Sequence, residues 1–185
     1  MCYMKTKRFI ALVVLLTVAV VAPASIPATQ ASDDNRTPAL PSPVCDEIQV
    51  PSGNKVAFQV YAKGAQVYKW NGIKWDFVGP VATLFADANY SGEVGTHYAG
   101  PTWKSNSGSK VVASRQKDCA PDPTAIPWLL LKTVSTTGPG IFSSVTYVQR
   151  VNTVGGLTPT APGSMVDEVI EVPYTTEYYF YCAED

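Results

Sequence analysis

The sequence predicts an all-β protein, a single-domain antiparallel β-sandwich or barrel. Three observations point that way. From Cys45 onward, apolar and β-branched segments of about five to ten residues alternate with Gly, Pro, Asn and Ser clusters, the spacing of strands and turns. No segment there carries the 3.6-residue apolar period of a good helix. Two stretches, "QVYKWNGIKWDFV" (66–78) and "PYTTEYYFY" (173–181), set large aromatic residues at period two, the repeat of a pleated strand.

Taken in order, residues 1–31 precede the fold. Lys5, Lys7 and Arg8 lead into an apolar run from Phe9 to Ala22, followed by Pro, Ser and Ala, the order of a secretory signal peptide. Cleavage is expected after Ala31, with Ala24 as the alternative, so the protein is expected to be secreted, or periplasmic in a Gram-negative bacterium. The run is shorter than the roughly 20 residues of a comfortable membrane span, and no later stretch matches it, so no span is expected after cleavage. Residues 32–44, "SDDNRTPALPSPV", are rich in Pro, Ser and Asp without an apolar period and read as a flexible lead-in. A single β domain then occupies 45–185.

Strands are expected at 55–61, 65–70, 73–78, 81–85, 93–98, 109–115, 126–135, 141–153, 167–172 and 175–182. Asn71-Gly72 can supply the two positive φ angles of a type I′ turn, which predicts a two-residue hairpin. Its register would set Trp70 opposite Ile73, Tyr68 opposite Trp75 and Gln66 opposite Phe77 on one face. Lys69 with Lys74 and Val67 with Asp76 would take the other. Rings on the apolar face of a hairpin belong to a core first and to a sugar-stacking platform second. In 173–181, alternation puts Tyr179 and Tyr181 on one face and Tyr178 and Phe180 on the other, as in a strand packed on both sides.

Composition excludes some functions. Loss of residues 1–31 removes three of the 14 Lys and Arg and none of the 15 acids, leaving 11 against 15, a net charge of −4. Basic residues are scattered singly, so neither nucleic acid nor an anionic membrane is an expected partner. Cys45, Cys119 and Cys182 would remain in an oxidising compartment. A Cys45–Cys182 bridge is expected, with pairing to Cys119 in either direction the alternative. Asn35 and Asn89 lie in N-x-Ser/Thr sequons and would be glycosylated in a eukaryotic host.

Motifs for chemistry are sparse. The sole histidine, His97 in "GTHYAGPTW", has no H-x-H, H-E-x-x-H or C-x-x-C around it, so no metal centre is expected. No G-x-S-x-G elbow marks a nucleophilic serine. "GPGIFS" (138–143) lacks the third glycine of a dinucleotide fingerprint and leads into a strand-like run, so no cofactor is expected and a dehydrogenase is rejected. In "VTYVQRVNTVGG" (145–156), Gln149 and Arg150 point to opposite faces, and Asn152 shares the face of Arg150. A buried Arg150 would need a carboxylate, carbonyls or a ligand as partner.

The segments "GTHYAGPTW", "AIPWLLLK", "TYVQRVNTVGG" and "PYTTEYYFY", in this order after "QVYKW", resemble a secreted family of bacteria and fungi known as domain of unknown function 3455, over about residues 46–181. The resemblance implies no established activity. Some fungal relatives are labelled malate dehydrogenase, a label that needs the glycine fingerprint this chain lacks. The recurring positions are His97, Tyr98, Trp103, Trp128, Arg150 and Asn152. The leading expectation is an extracellular binding module for a glycan or small ligand, using His97, Tyr98, Trp103, Arg150 and Asn152. A secreted hydrolase is the alternative, with His97 as base or Glu93 and Asp87 as a carboxylate pair. A structural component of the cell envelope or wall, with no small-molecule site, is the third.

Overall fold

A computed structural model describes residues 37–184; the expected signal segment 1–31 and the Asn35 sequon lie outside the described residues. Eight antiparallel strands run β1 (Asn54–Trp70), β2 (Trp75–Phe85), β3 (Glu93–Tyr98), β4 (Thr102–Ser105), β5 (Lys110–Cys119), β6 (Trp128–Thr137), β7 (Val145–Gly155) and β8 (Val169–Ala183). Each pairs with the next and β8 pairs with β1, so the sheet is a closed up-and-down barrel. Closure leaves no free edge. The only helical element among the described residues is a 3-10 turn, Asp46–Ile48, and no helix among them is long and apolar enough to cross a membrane.

The sequence splits three of these strands in two. Gly64 interrupts the apolar pattern of β1, yet the strand continues through it, because β1 and β2 approach there so closely that a Cβ would sit 2.1 Å from the Val81 carbonyl oxygen. Gly79-Pro80 divides the pattern of β2 but falls at a bulge, where Val67 faces Gly79 and Tyr68 faces Phe77. Pro173 divides β8. Its carbonyl accepts from Gly156 N at 3.0 Å, so its missing N–H falls on the side where the β7 ladder stops at Gly155. The short β4 forms because Ala99-Gly100-Pro101 folds into a tight turn, with Gly100 at φ 92° and the Thr102 hydroxyl donating to the Ala99 carbonyl at 3.2 Å.

The first hairpin departs from its expected register. Trp70 faces Trp75, Lys69 faces Asp76 and Tyr68 faces Phe77, two residues away from the Asn-Gly pairing. Asn71 is the cause. Its side-chain oxygen accepts from the backbone N–H groups of both Ile73 and Lys74 at 2.9 Å, so the loop contains four residues instead of two. The expected Lys–Lys opposition becomes a Lys69–Asp76 one, and the face parity is preserved because the shift is even.

Two cores result. Inside the barrel are Val60, Ala62, Leu84, Trp103, Val111, Leu131, Val148, Tyr178 and Phe180 among others. On the outer wall of β5 to β8, Trp128, Leu130, Val151, Tyr179 and Tyr181 pack under Cys45 and Ile48, with Leu40 and Val50 against them. Gln149 belongs to this outer layer: its amide donates to the Ile48 carbonyl at 2.7 Å, and Tyr181 OH donates to its oxygen at 2.6 Å. The expected division of β8 into a Tyr178–Phe180 face and a Tyr179–Tyr181 face is what the two cores use.

A disulfide joins Cys45 to Cys119, so the expected Cys45–Cys182 bridge does not form. A bulge on β5 decides it. Arg115 faces Leu131 on the interior side, but the register shift before Lys117 turns the rest of the strand over, so Cys119 faces Trp128 on the outer wall beside Cys45. Cys182 alternates onto the face of Tyr178 and Phe180, and the barrel wall separates it from Cys45.

Candidate functional site

An eight-stranded barrel has an interior just wide enough to be filled by side chains or to hold one small ligand. The two ends of this one differ. Near the start of β1, the rings of Phe58 and Phe180 stack at 4.7 Å, and Phe142 packs 5.0 Å from Phe180. Toward the opposite end, where the β1–β2, β3–β4, β5–β6 and β7–β8 loops lie, a cleft of about 350 Å³ opens.

His97 and Trp103 form its floor. They face each other across the β3–β4 pair, with ring centroids 4.4 Å apart and planes 14° from parallel. Tyr178 closes both edge-on, at 5.1 Å and 5.3 Å. The His97 Nδ1 lies 2.9 Å from the Thr102 carbonyl oxygen, which can only accept, so Nδ1 carries the hydrogen and Nε2 the lone pair. Burial pushes the His97 pKa down to about 3; the Thr102 carbonyl opposes this and the positive charge of Arg150 adds to it. His97 is therefore neutral at any ordinary pH.

Arg150 enters from β7, facing Tyr178 on β8. Its Nε and Nη2 donate to the Pro127 carbonyl at 3.1 Å and 2.7 Å. Among the described residues no carboxylate pairs with the guanidinium, and the Tyr178 hydroxyl lies beside it. Burial pushes the Tyr178 and Tyr174 hydroxyls up, while the Arg150 charge tempers both. The two phenols lie close enough to each other, and Tyr178 close enough to Arg150, to influence one another's ionisation, yet neither hydroxyl meets a partner in full hydrogen-bonding geometry.

Trp103 Nε1 and Gln66 Nε2 share that condition: both are buried and have no protein partner. Leaving a buried donor unpaired costs on the order of 1–3 kcal/mol, so several of them around one space call for an explanation. Tyr68 differs, since its hydroxyl donates to the Gly156 carbonyl at 2.7 Å and ties the β7–β8 loop to the cleft wall. Gly156 allows this with φ 77°; a Cβ there would lie 2.9 Å from Tyr174 and 3.0 Å from Gln66. Ile126, Leu129 and Leu131 supply apolar wall, and Phe77, 56% exposed, stands at the rim. Arg115 also lines the cleft but is ion-paired with Asp118, and no Asp or Glu among the described residues lines it.

Of the residues expected to form a site, His97, Trp103 and Arg150 meet in this cleft. Tyr98, one residue beyond His97, projects outward and is 38% exposed. Asn152 does not share the face of Arg150. A bulge between Val151 and Val154, with Asn152 at φ 51°, turns it to the outer surface, where its amide donates to Glu177 Oε1 at 3.0 Å. Trp128 packs in the outer layer beside the disulfide. Glu93 is exposed at the far end of β3, four residues or about 13 Å from His97 along the strand. Asp87 caps the loop at that same far end, accepting from Asn89 N at 2.8 Å. Neither carboxylate reaches the cleft.

Gln66, Arg115 and Tyr178 were not marked as site residues by the sequence, and Tyr68 entered only through the minority sugar-stacking reading of the hairpin rings. The signal was present in part: all four lie on strands predicted from the residues, but only closure shows that these positions surround one space. The hairpin aromatics divide accordingly. Tyr68 lines the cleft, and Trp70 and Trp75, half-buried and 5.4 Å apart, pack beneath the 158–163 segment, with Trp75 Nε1 donating to the Ala161 carbonyl at 2.9 Å.

The family model described as Protein of unknown function (DUF3455) matches residues 51–182. The chain belongs to that family. Neither a curated protein nor a solved structure matches it. The DUF3455 match spans all eight strands apart from the last residue of β8, so the cleft lies wholly within the family domain.

Proposed function

We propose that this DUF3455 protein is an extracellular binding module that takes a small molecule into the open end of its barrel. The observation that carries this is the convergence of three buried, unpartnered polar groups, Trp103 Nε1, Gln66 Nε2 and Tyr178 OH, on one cleft with a partly open Arg150. Mouths of β-barrels lined by apolar walls and a few polar groups are common ligand sites, and about 350 Å³ falls within their usual size. The extracellular setting is supported by the Cys45–Cys119 bridge and by the order of charged, apolar and small residues in 1–31.

A sugar-stacking version of this function has less support. Trp103 is 1% exposed and one face of it is covered by His97, which leaves Phe77 as the ring available at the rim. Hydrolysis through His97 also has less support, because a base with a pKa of about 3 accepts protons poorly near neutral pH. A wall component without a small-molecule site would not require polar groups to be left unpaired around a cleft.

The test is calorimetric titration of the purified protein with neutral sugars, organic acids and apolar alcohols, each mixture checked for product. Saturable heat that is lost in Trp103→Phe, without product, is the expected result. Heat unchanged in Trp103→Phe would place binding elsewhere and defeat the proposal.

A further inference from the structure

We infer that the molecule taken up is a small organic acid, its carboxylate held by Arg150 and its apolar body lodged against Leu129, Leu131 and Phe77. This rests on the barrel-end binding function proposed above and assigns the chemical class of its ligand.

The donor count favours an acceptor-rich ligand. Trp103 Nε1 and Gln66 Nε2 can only donate and have no protein acceptor among the described residues, and Arg150 keeps N–H donors beyond the two that meet the Pro127 carbonyl. Charge favours an anion. Arg115 is matched by Asp118, His97 is neutral, and no Asp or Glu among the described residues lines the cleft, so among them the Arg150 charge has no counter-charge in a partly dry space. An arginine fork matches a planar carboxylate by shape as well as by sign. The two bonds to the Pro127 carbonyl hold the guanidinium plane in place beforehand, which lowers the ordering cost of binding. The remaining wall is aliphatic and aromatic, which an inorganic anion would leave unused.

The probes are benzoate, phenylacetate and 3-phenylpropionate, their primary amides, and inorganic phosphate, titrated calorimetrically into the wild-type protein at pH 7. The amides keep shape and lose charge. Acids should bind about ten- to hundredfold more tightly than their amides, the range expected for hydrogen bonds to a charged group. Phosphate should bind more weakly than the acids. Arg150→Gln should abolish the acid–amide difference, and Arg150→Lys should retain part of it; the acid–amide comparison needs no variant, so it stands even if these fold poorly. Amides binding as tightly as acids would overturn the anion assignment and leave the binding function intact. Phosphate binding as tightly as the acids would overturn the organic body. Neutral sugars or alcohols binding where the acids do not would overturn the assignment alone, whereas silence from every probe would overturn the binding function with it.

Discussion

His97 should make this protein acid-sensitive, by an amount that can be worked out in advance. It is the only histidine in the chain, and the fold lowers its pKa from 6.5 to about 3, chiefly by burial. A base whose folded pKa lies below its unfolded value is more protonated in the unfolded chain, so stability rises with pH between the two values and falls as pH drops from 6.5 toward 3. Above 6.5 the contribution is complete. At pH 5 the difference corresponds to about 2 kcal/mol, and at pH 4 to about 3 kcal/mol, from 1.36 kcal/mol per pKa unit. Asp122, whose pKa is lowered from 3.8 by the Thr124 hydroxyl and N–H, starts to lose its own contribution only as pH falls toward 3.8, so the comparison is made at pH 5. The perturbation is His97→Gln, which removes the titration while keeping an N–H donor for the Thr102 carbonyl. Urea unfolding at pH 7.5 and pH 5 should show the wild type losing about 2 kcal/mol more than the variant over that interval. The NMR signal of the single imidazole should stay flat from pH 8 to about 5 in the folded protein. An inflection near 6.5, or an equal loss in His97→Gln, would refute the buried neutral histidine and the cleft floor built on it.

Two phenols on the same wall should respond oppositely: Tyr68→Phe, which loses the bond to the Gly156 carbonyl, should cost about 1 kcal/mol in urea unfolding, while Tyr178→Phe, which removes an unpartnered hydroxyl, should be neutral or stabilising. Cys119→Ala should lower stability by about 4 kcal/mol for a bridge closing 74 residues, and a non-reduced digest should yield a peptide linking Cys45 to Cys119. Gly64→Ala, whose Cβ would meet the Val81 carbonyl at 2.1 Å, should destabilise by more than about 2 kcal/mol, read as a fall in thermal midpoint.

Why the cleft forms at one end and not the other follows from residue size along the strands. Phe58, Phe142 and Phe180 fill the interior near the start of β1, whereas the opposite end draws its interior positions from Gln66, His97, Arg115 and Arg150. Polar side chains there cannot close into a dry core without partners, so the space stays open.

Strand identity was legible in the residues because pleating alone imposes period two: β3 matches its expected bounds, and the two faces of β8 were assigned correctly from alternation. The choice of an all-β fold came from the same local repeat. Which side of each strand faces inward, and whether the strands close, depended on contacts distant in sequence. Local bulges reversed the inference wherever they fell. One at Gln116 carried Cys119 to the outer wall and changed the disulfide partner; another at Asn152 took that residue out of the site that Arg150 remained in. Asn71 lengthened the first hairpin by folding its own side chain into the turn, a competition that the Asn-Gly pair does not reveal. Residue order alone determined the pleat and its alternation, since those are properties of one chain segment. Closure of β8 onto β1 decided which polar groups share a space, since that is a property of eight segments packed together.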